Sequence, residues 1–347
     1  MTEILLTIFF ISVLLFFLGS GIWVALSMIG VSAIGMMLFT SRPVGDAMAT
    51  TIWGTSSSWT LTALPLFVWM GEILFRTKLS ENLFKGLSPW MQKLPGGLIH
   101  VNVVGCALFA AISGSSAATV ATVGKMSIPE LRKRNYPEKI LLGSLAGSGT
   151  LGLLIPPSII LIIYGVAVQE SIAKLFIAGI IPGIMIALIF MSYVIIWSLI
   201  NKKSMPKIME EYSFLEKIKR SKQLLPVILL ILAVIGSIYT GIATATEAAS
   251  LGVIGALILS YFQKSLTFET FKSSLLGATK TSCMIAFILA GSTFLSLAMG
   301  FTGLPRNLAL WIQNMDLSPY LLIFVLMIFY IILGMFLDGI SAVVLTM

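Results

Sequence analysis

Apolar stretches of about 20 residues, the length of a membrane-spanning helix, recur along almost the whole of this 347-residue chain. A helix of that length crosses the hydrocarbon core of a bilayer, which is about 30 Å thick. Only 10% of the residues are charged, whereas a soluble domain carries roughly a quarter. The chain therefore has too few charges to cover a surface that faces water. The sequence predicts an all-α integral membrane protein with lipid as its solvent.

The remaining composition argues against nucleic-acid binding and against catalysis. The net charge of +8 comes from Lys and Arg in short connectors, where cytoplasmic loops of membrane proteins carry them. His100 is the single histidine, and Cys106 and Cys283 lie within apolar segments, where a cysteine usually serves as a small buried side chain. An intramembrane protease would need facing aspartates or a Ser–His pair, and Asp338 has no intramembrane partner of this kind. We therefore predict a protein that is not an enzyme and binds no cofactor.

The hydropathy pattern predicts both complete and interrupted spans. Complete spans are placed at 4–19, 22–39, 97–124, 140–164, 175–200, 224–242, 246–262 and 319–345. Two further apolar stretches, 55–75 and 282–304, are interrupted by small and hydroxyl-bearing residues, with breaks expected at 55–65 and 290–300. Such breaks are tolerated at membrane depth only where they line a protein cavity. Both stretches are therefore predicted to be helical hairpins that enter the membrane and return.

The connectors predict the orientation of the chain. Segments 125–139 and 201–222 are rich in Lys and Arg and are separated by two spans, so both are placed in the cytoplasm, together with 264–280. On this assignment the basic residues of 76–93 face outward, which fits the rule less well. Amphipathic stripes at 79–91 and 304–315 predict two helices in the headgroup plane.

The order of these elements predicts an inverted repeat, an architecture of many secondary transporters. A helix pair divided at Gly19–Gly21 corresponds to a pair divided near Gly241, and each pair precedes a hairpin and an amphipathic helix. The first repeat is assigned to 1–200, the basic connector to 201–222 and the second repeat to 223–347. The counterpart of Pro156–Pro157 in the second repeat would lie beyond Met347, so we expect the second repeat to be incomplete and the chain to be a fragment.

The segment SGSSAATVATVG contains the first candidate ion site, at Ser113, Gly114, Ser115 and Ser116. An unwound, hydroxyl-rich segment offers backbone carbonyl and Ser oxygens, the hard ligands that sodium prefers. The alternative is close helix packing through small residues. A second break, between Ser148 and Ser158, is predicted to face the first, because the proline pair in it interrupts a helix.

Asp338 is the most informative single residue. A carboxylate at the centre of a membrane helix costs about 2.5–3.5 kcal/mol, so it normally faces a cavity, an ion or a partner. The sequence therefore predicts that Asp338 binds a cation, unless it lies near the membrane interface. Glu72 and Glu247 are weaker candidates, because both lie near the ends of predicted spans.

Several stretches together resemble the large membrane subunit of TRAP transporters, the tripartite ATP-independent periplasmic family. They are ALPLFVWMGEIL, GGLIHVNVVGCALFAAISGSSAATVATVG, IPPSIILIIYGV, KLFIAGIIPG, TATEAA and GMFLDGISAVVLTM. The resemblance covers essentially the whole chain. Two departures are the lack of a Pro usual for the family within 241–247 and the absence of the closing helices with a second proline pair.

The resemblance implies a sodium-coupled secondary transporter of elevator type in the bacterial inner membrane. The two hairpins and the broken helices would move against the other helices, with 79–91 and 304–315 as connecting arms. The implied partners are a small TRAP membrane subunit and a periplasmic binding protein that delivers an organic acid such as a C4-dicarboxylate or a sialic acid. A stand-alone sodium/dicarboxylate symporter is the alternative.

The resemblance also implies how the candidate residues divide between sites. Sodium is the coupling ion, and no other metal is expected. The sodium-binding candidates are Ser113, Gly114, Ser115, Ser116, Gly149, Thr150, Ser292, Thr293, Asp338 and Gly339. The candidates for the substrate pathway are Ser57, Ser58, Pro156, Pro157 and Ser158.

Overall fold

The computed structural model describes residues 3–76, 79–206, 212–222, 224–336 and 339–346, and throughout these ranges the regular structure is helical. The helices are α1 Glu3–Gly19, α2 Val24–Phe39, α3 Val44–Ser56, α4 Ala63–Phe75, α5 Leu79–Met91, α6 Ile99–Ser113, α7 Ser116–Lys133, α8 Glu138–Gly149, α9 Ile159–Ala167, α10 Ile172–Ile200, α11 Phe214–Ser221, α12 Leu225–Tyr239, α13 Ala245–Phe262, α14 Phe268–Thr302, α15 Leu304–Asn314, α16 Pro319–Phe336 and α17 Gly339–Thr346. Short 3₁₀ segments lie at Trp59–Thr62, Thr150–Leu153 and Lys202–Ser204.

Within the described ranges, three helices are long and apolar enough to cross a membrane singly: α10, α13 and α14. The number rises to five if α3 with the segment 59–75, and α11 with α12, each count as one bent span. The prediction of an all-helical chain with membrane-length apolar helices is confirmed.

Two helix pairs have the same construction, as the sequence predicted. In the first pair, the Phe17 ring packs against Gly30 and the Phe10 ring packs against Gly35. Because the later residue of α1 meets the earlier residue of α2, the two helices are antiparallel. In the second, Leu230 packs on Gly255 and Val234 on Gly252, so α12 and α13 do the same. Each connecting turn holds a glycine with positive φ, +78° at Gly21 and +70° at Gly241, a conformation that L side chains rarely adopt.

The interval 97–124, predicted as one broken span, is instead an antiparallel helical hairpin formed by α6 and α7. Gly105 of α6 lies opposite Val123 of α7. At the open end of the hairpin, the Leu98 N–H donates to the Tyr136 hydroxyl (3.1 Å). The chain therefore reverses at Gly114, where φ is +58°. A left-handed glycine turns the backbone back on itself, a possibility that the hydropathy pattern did not separate from a kink in one span.

This hairpin changes the predicted sidedness. Residue 98, which ends the segment following α5, meets the basic connector 125–139 through Tyr136, and Trp90 of α5 meets Ser221 of the connector 201–222. The basic residues near 76–93 therefore lie on the same side as both connectors, so their predicted outward placement is wrong. All three basic segments now agree with the positive-inside rule.

The second predicted hairpin, 282–304, is also wrong as an interrupted element, because α14 runs without a break from Phe268 to Thr302. Two of its hydroxyls bond to their own helix: Thr293 donates to the Leu289 carbonyl (2.8 Å) and Thr302 to the Met299 carbonyl (2.7 Å). The expected break at 290–300 is replaced by close packing, since Gly291 lies against the Ala25 backbone of α2. The chain turns only at Gly303, where φ is +73°.

The amphipathic helices are confirmed as α5 and α15, almost at their predicted limits. The first polar interruption also exists, as residues 57–62 between α3 and α4. Its preceding helix begins at Val44, well before the predicted start at 55. Pro65 does not break the chain, because it lies in the first turn of α4, where no backbone donor is lost.

The contacts group the chain into two compact units. One contains Met1–Leu61 and Cys283–Met347, and the other contains Thr62–Ser282. In the second unit, α4 packs along α13, where the Met70 sulfur lies against Gly252. The assignment of the two inverted repeats to 1–200 and 223–347 remains a prediction.

Replacing Gly291 by Ala is expected to lower the unfolding temperature of the purified protein. The new methyl would lie 2.8 Å from the Ala25 carbonyl oxygen, and overpacking of this kind typically costs about 1–3 kcal/mol. Gly300→Ala is the matched control on the same helix, because nothing lies within 4 Å of its position. Thermal unfolding in detergent that affected both variants equally would contradict the packing of α14 on α2.

Candidate functional site

The tip of the α6–α7 hairpin is a short polar turn. Gly114, in the left-handed conformation, ends α6, and its N–H donates to the Ala110 carbonyl (2.9 Å). Ser115 is extended, with φ −124° and ψ 123°, and its side chain caps the start of α7 by accepting from the Ala118 N–H. Gly114 and Ser115 are thus the only two residues between α6 and α7. This short turn brings backbone oxygens and hydroxyls close together.

Hydrogen bonds fix the hydroxyls on one side of this tip. The Ser113 and Thr119 hydroxyls are 2.9 Å apart, and Thr119 Oγ1 donates to the Ser115 carbonyl (2.8 Å). Thr119 is fully buried. This network occupies the Ser115 carbonyl and holds Ser113 against α7, so the tip is rigid before any ligand binds.

The second predicted break is confirmed between α8 and α9. The 3₁₀ segment Thr150–Leu153 follows α8, and the peptide bond between Pro156 and Pro157 is cis. Ser158 is completely buried, and its hydroxyl donates to the Leu153 carbonyl (2.6 Å). The segment 154–158 therefore crosses from one helix to the next as irregular but hydrogen-bonded backbone.

The two breaks meet, as the sequence predicted. A Cβ on Gly114 would lie 2.9 Å from the Ile159 nitrogen and 3.1 Å from the Pro157 carbonyl oxygen. A Cβ on Gly152 would lie 3.2 Å from the Ser116 nitrogen. Backbone therefore touches backbone at two points, and each contact depends on a glycine.

A third element reaches the same place, which the sequence analysis did not foresee. A Cβ on Gly71 of α4 would lie 3.0 Å from the Ser113 Cα and 3.1 Å from the Ile112 carbonyl oxygen. The last turn of α6 is therefore enclosed by α4 on one side and by the 150–159 region on the other. The spacing of glycines in otherwise apolar helices was the available signal, since only glycine lets two backbones approach this closely.

The Ser116 hydroxyl is buried and has no hydrogen-bond partner among the described residues. Leaving a buried hydroxyl unpaired costs about 1–3 kcal/mol, so this position favours a ligand or a water molecule. A hydroxyl oxygen beside carbonyl oxygens suits a hard cation such as sodium. Ser113, Gly114, Ser115, Ser116, Pro157 and Ser158 thus form one group, which we call the tip site.

Two predicted neighbours take other roles. Gly149 packs against the Val120 side chain and makes room for α7 beside α8. Thr150 is exposed, and its hydroxyl donates to the Gly147 carbonyl (2.7 Å). The assignment of Gly149 and Thr150 to the ion site stays a prediction.

The second predicted site is only partly within the described residues. The buried Ser292 hydroxyl donates to the Val344 carbonyl of α17 (2.6 Å), so α14 and α17 do meet. Thr293 instead bonds to its own helix, and Gly339 is the first residue of α17. Asp338 lies outside the described residues, and its role stays a prediction.

The substrate-pathway candidates are divided between the two compact units. Pro157 and Ser158 belong to the tip site and Pro156 directly precedes them, whereas Ser57 and Ser58 lie in the other compact unit. Ser57 ends α3 and is exposed, and Ser58 is half-buried. Ser57 and Ser58 serve here as helix-ending residues.

A groove in the first unit was also missed from the sequence. It encloses a volume of about 400 Å³ and is lined by Arg42, Pro43, Asp46, Ala47, Thr50, Thr51, Leu297 and Phe301. The guanidinium carbon of Arg42 lies 4.6 Å from the centre of the Phe301 ring. A guanidinium held in this way can pair with a carboxylate through two parallel hydrogen bonds. The available signal was the pair of charged residues Arg42 and Asp46 at the start of α3, between two apolar segments.

The weaker acidic candidates have structural partners. Glu247 closes a capping box with Thr244, whose N–H donates to Glu247 Oε2 (2.8 Å). Glu72 pairs with Arg76 on α4, and the Arg76 Nε also donates to the Ser273 hydroxyl of α14 (3.2 Å). Both carboxylates therefore stabilise local structure, which the sequence analysis had left open.

Membrane-length helices together with meeting backbone breaks are typical of secondary transporters, and comparison with known proteins gives the same class. Residues 9–347 match the DctM component of the tripartite ATP-independent periplasmic transporters. The chain belongs to this family, as its sequence motifs predicted.

Individual relatives agree with this assignment. The C4-dicarboxylate TRAP transporter large permease protein of Pseudomonas aeruginosa is 33% identical over 314 residues, which are 90% of this chain and 72% of the relative. The 2,3-diketo-L-gulonate large permease of Escherichia coli is 32% identical, covering 84% and 68%. The sialic acid large permease of Vibrio cholerae is 30% identical, covering 94% and 76%. The chain is therefore a membrane transport protein and not an enzyme.

Replacing Gly114 by Ala is expected to destabilise the tip site. The methyl would clash with the backbone of Ile159, and an L residue at a φ of +58° is also strained. Gly105→Ala on the same helix is the control, because its methyl would be at ordinary contact distance from Val123 (3.7 Å). The unfolding temperature in detergent should fall for the first variant and stay within a few degrees for the second. Equal unfolding temperatures would contradict the backbone contact.

Proposed function

We propose that this chain is the sodium-coupled translocating subunit of a TRAP transporter. In this role it carries an organic acid, such as a C4-dicarboxylate, a sialic acid or a similar carboxylate, across the bacterial inner membrane. The unpartnered Ser116 hydroxyl at the meeting of two backbone breaks is the observation that carries the sodium assignment. The named substrates of the relatives, which are C4-dicarboxylates, diketogulonate and sialic acid, support the substrate class.

The tip site has the parts that a sodium site needs. Carbonyl oxygens of the broken backbone and the Ser116 hydroxyl can replace water around a small cation. Two rigid breaks held together by glycine contacts limit how far these oxygens can move, which favours one ion size. A second site near Ser292, Asp338 and Gly339 completes the proposal, since each ion entering down a potential of 100 mV contributes about 2.3 kcal/mol. Two or more ions can therefore concentrate an anionic solute against this potential.

The movement we propose is of elevator type. The α6–α7 hairpin and the broken α8–α9 region would move together as one body, because they are joined by backbone contacts at Gly114 and Gly152. The amphipathic helices α5 and α15 would connect the moving body to the remaining helices. Packing of α5 on both α6 and α7 supports this role.

The partners proposed are a small TRAP membrane subunit and a periplasmic binding protein that delivers the acid. A relative from Oleidesulfovibrio alaskensis, 29% identical, is named as the isethionate TRAP transporter permease protein DctMQ, a name that combines DctM with a second component. The match to a tripartite family favours this arrangement over a stand-alone sodium/dicarboxylate symporter.

Uptake of the acid into proteoliposomes that contain the complete transporter is expected to require a sodium gradient. Ser116→Ala should raise the sodium concentration for half-maximal uptake several-fold, because it removes the free hydroxyl ligand. Ser250→Ala is the matched control, since that hydroxyl is already bonded to the Thr246 carbonyl (3.1 Å). Uptake that persists at the same rate without sodium would end the proposal.

Asp338→Asn is expected to weaken sodium activation in the same assay, because it removes the charge of the only carboxylate proposed for the second site. The measurement is the sodium dependence of uptake at fixed substrate. Unchanged activation in this variant would remove Asp338 from the ion site while leaving the tip site untouched.

Arg42→Gln is expected to raise the substrate concentration for half-maximal uptake about tenfold, the scale on which a charge-assisted hydrogen bond to a carboxylate acts. Arg42→Lys should raise this concentration by less, because it keeps the charge but loses the planar pair of donors. Arg306→Gln, which removes another exposed Arg of the same unit, is the control. Equal substrate dependence in all variants would exclude the groove from the substrate path.

A further inference from the structure

Helix α11, within the basic connector, has an apolar face that the described residues leave largely exposed. The exposed fractions are 77% for Leu215, 66% for Phe214 and 42% for Ile218. At about 100° per residue, these three side chains lie on one arc of the helix. We call Phe214, Leu215 and Ile218 the α11 apolar face. Helix α11 has only eight residues, so these three side chains form a large part of its surface. Exposing that apolar surface to water would be unfavourable.

Cations border this face. Lys219 and Lys222 are exposed. Lys219 lies next to Leu215 at the edge of the face, and Lys222 directly follows the last residue of the helix. Glu216 and Arg220 lie on the opposite side of the helix. Arg220 is occupied by Tyr212, with its guanidinium carbon 4.3 Å from the ring centre. Lys219 and Lys222 can therefore extend along the apolar edge while keeping their charges in a polar layer.

The position of α11 along the chain places it at a membrane surface. It is followed closely by α12, a long apolar helix, and the two are bent by 58° from each other. Four cations within the short segment 217–222 exclude α11 from the hydrocarbon, because each would cost about 2.5–3.5 kcal/mol there. A helix at such an angle, apolar on one face and basic at its edge, fits the boundary between headgroups and acyl chains.

The helix is held firmly in this position. Its start is closed by a capping box between Ser213 and Glu216, in which the Ser213 N–H donates to Glu216 Oε2 (3.0 Å). On its flank, the Trp90 indole N–H of α5 donates to the Ser221 hydroxyl (2.8 Å), and the Trp90 ring meets the Phe214 ring edge to face. Lys217 lies over the same indole, 5.5 Å from its centre.

We propose that α11 is a binding site for anionic phospholipids of the cytoplasmic leaflet. The α11 apolar face contacts acyl chains, and Lys219 and Lys222 bind the phosphate groups of the lipid heads. Charge complementarity favours this occupant over a soluble protein, since the cytoplasmic leaflet is anionic and attracts basic segments next to a membrane helix. Through Trp90, the bound lipid also holds the end of α5. This assignment is independent of the solute and of the coupling ion.

The first test measures lipid binding by the complete purified chain in neutral detergent. Dilauroyl phosphatidylglycerol should raise the unfolding temperature, and dilauroyl phosphatidylcholine should not. Lys219→Gln/Lys222→Gln should need roughly tenfold more phosphatidylglycerol for the same rise, because each cation near an anionic surface contributes to binding. Lys264→Gln/Lys272→Gln is the matched control, since both side chains are exposed and neither borders the α11 apolar face.

Three outcomes of this titration would overturn the proposal. They are an equal response to both lipids, an equal loss in the control variant, and full retention in Lys219→Gln/Lys222→Gln. All variants change exposed side chains, and their unfolding temperatures without lipid should match the unmodified chain.

The second test locates the lipid directly. A polarity-sensitive fluorophore is attached at Leu215→Cys in a Cys283→Ser background, because Cys106 is buried. In nanodiscs with phosphatidylglycerol, the emission should shift to the blue and be quenched by lipids that carry a spin label near the headgroup. A label at Arg220→Cys, on the opposite side of the helix and outside the capping box, should stay solvent-exposed and unquenched.

A label at position 215 that remains in water in these nanodiscs would overturn the proposal. So would a blue shift that occurs only after the small membrane subunit is added, because α11 would then be covered by protein. Sodium-independent uptake would disprove the proposed function and leave both lipid tests unaffected.

Discussion

The close contact of unwound backbone with unwound backbone, at Gly114 against Pro157 and Ile159, determines the arrangement of the second unit. Within a membrane, every backbone polar group must find a partner inside the protein, so irregular segments can exist only where they enclose one another. The hairpin tip and the proline-containing segment satisfy this requirement together, and neither would be stable alone in lipid. The three helices that meet there, α6, α7 and α8, must consequently end or turn at one level. The candidate ion site lies where the two breaks meet, beside the unpartnered Ser116 hydroxyl.

Much of this arrangement could be predicted from the sequence, for reasons that differ between elements. The turn of α1 and α2 at Gly21 and the stripe of α5 were recognised because each has a local cause, a positive φ in the first case and helical periodicity in the second. The interruption predicted in α14 was wrong because its Ser and Thr residues resemble those of the tip site in composition. The decisive difference lies in the backbone: Gly114 has a positive φ and ends α6, whereas α14 runs unbroken from Phe268 to Thr302. Hydroxyl content alone does not separate a packed helix from a broken one.

The sidedness error has a related origin. Counting 97–124 as one crossing reversed the expected side of everything before it, since an apolar run of that length fits either one span or a hairpin. The contact of Leu98 with Tyr136 distinguishes the two, and it depends on a pair of residues far apart in the sequence. The misfit of the basic residues at 76–93 was therefore evidence about topology. A violation of the positive-inside rule near a glycine-rich polar segment indicates that the number of crossings should be reconsidered.

Helix α5 gains its importance from the same corrected topology. Its Leu83 and Phe84 line a small apolar cavity with Val101 of α6 and Val123 of α7, so one side of α5 lies against the hairpin. Its far end holds α11 through Trp90, and Gly86 packs against Leu224 at the start of α12. A single helix thus touches the element that forms the candidate ion site and α11, for which we propose lipid binding. If the hairpin moves during transport, either α5 moves with it and shifts α11, or the hairpin slides along α5 while α11 stays in place. The contact between α5 and α11 is aromatic and hydrogen-bonded at Trp90. It is therefore harder to release than the apolar packing of α5 on the hairpin at Leu83. This difference favours α11 as the fixed point and the interface between α5 and the hairpin as the one that slides.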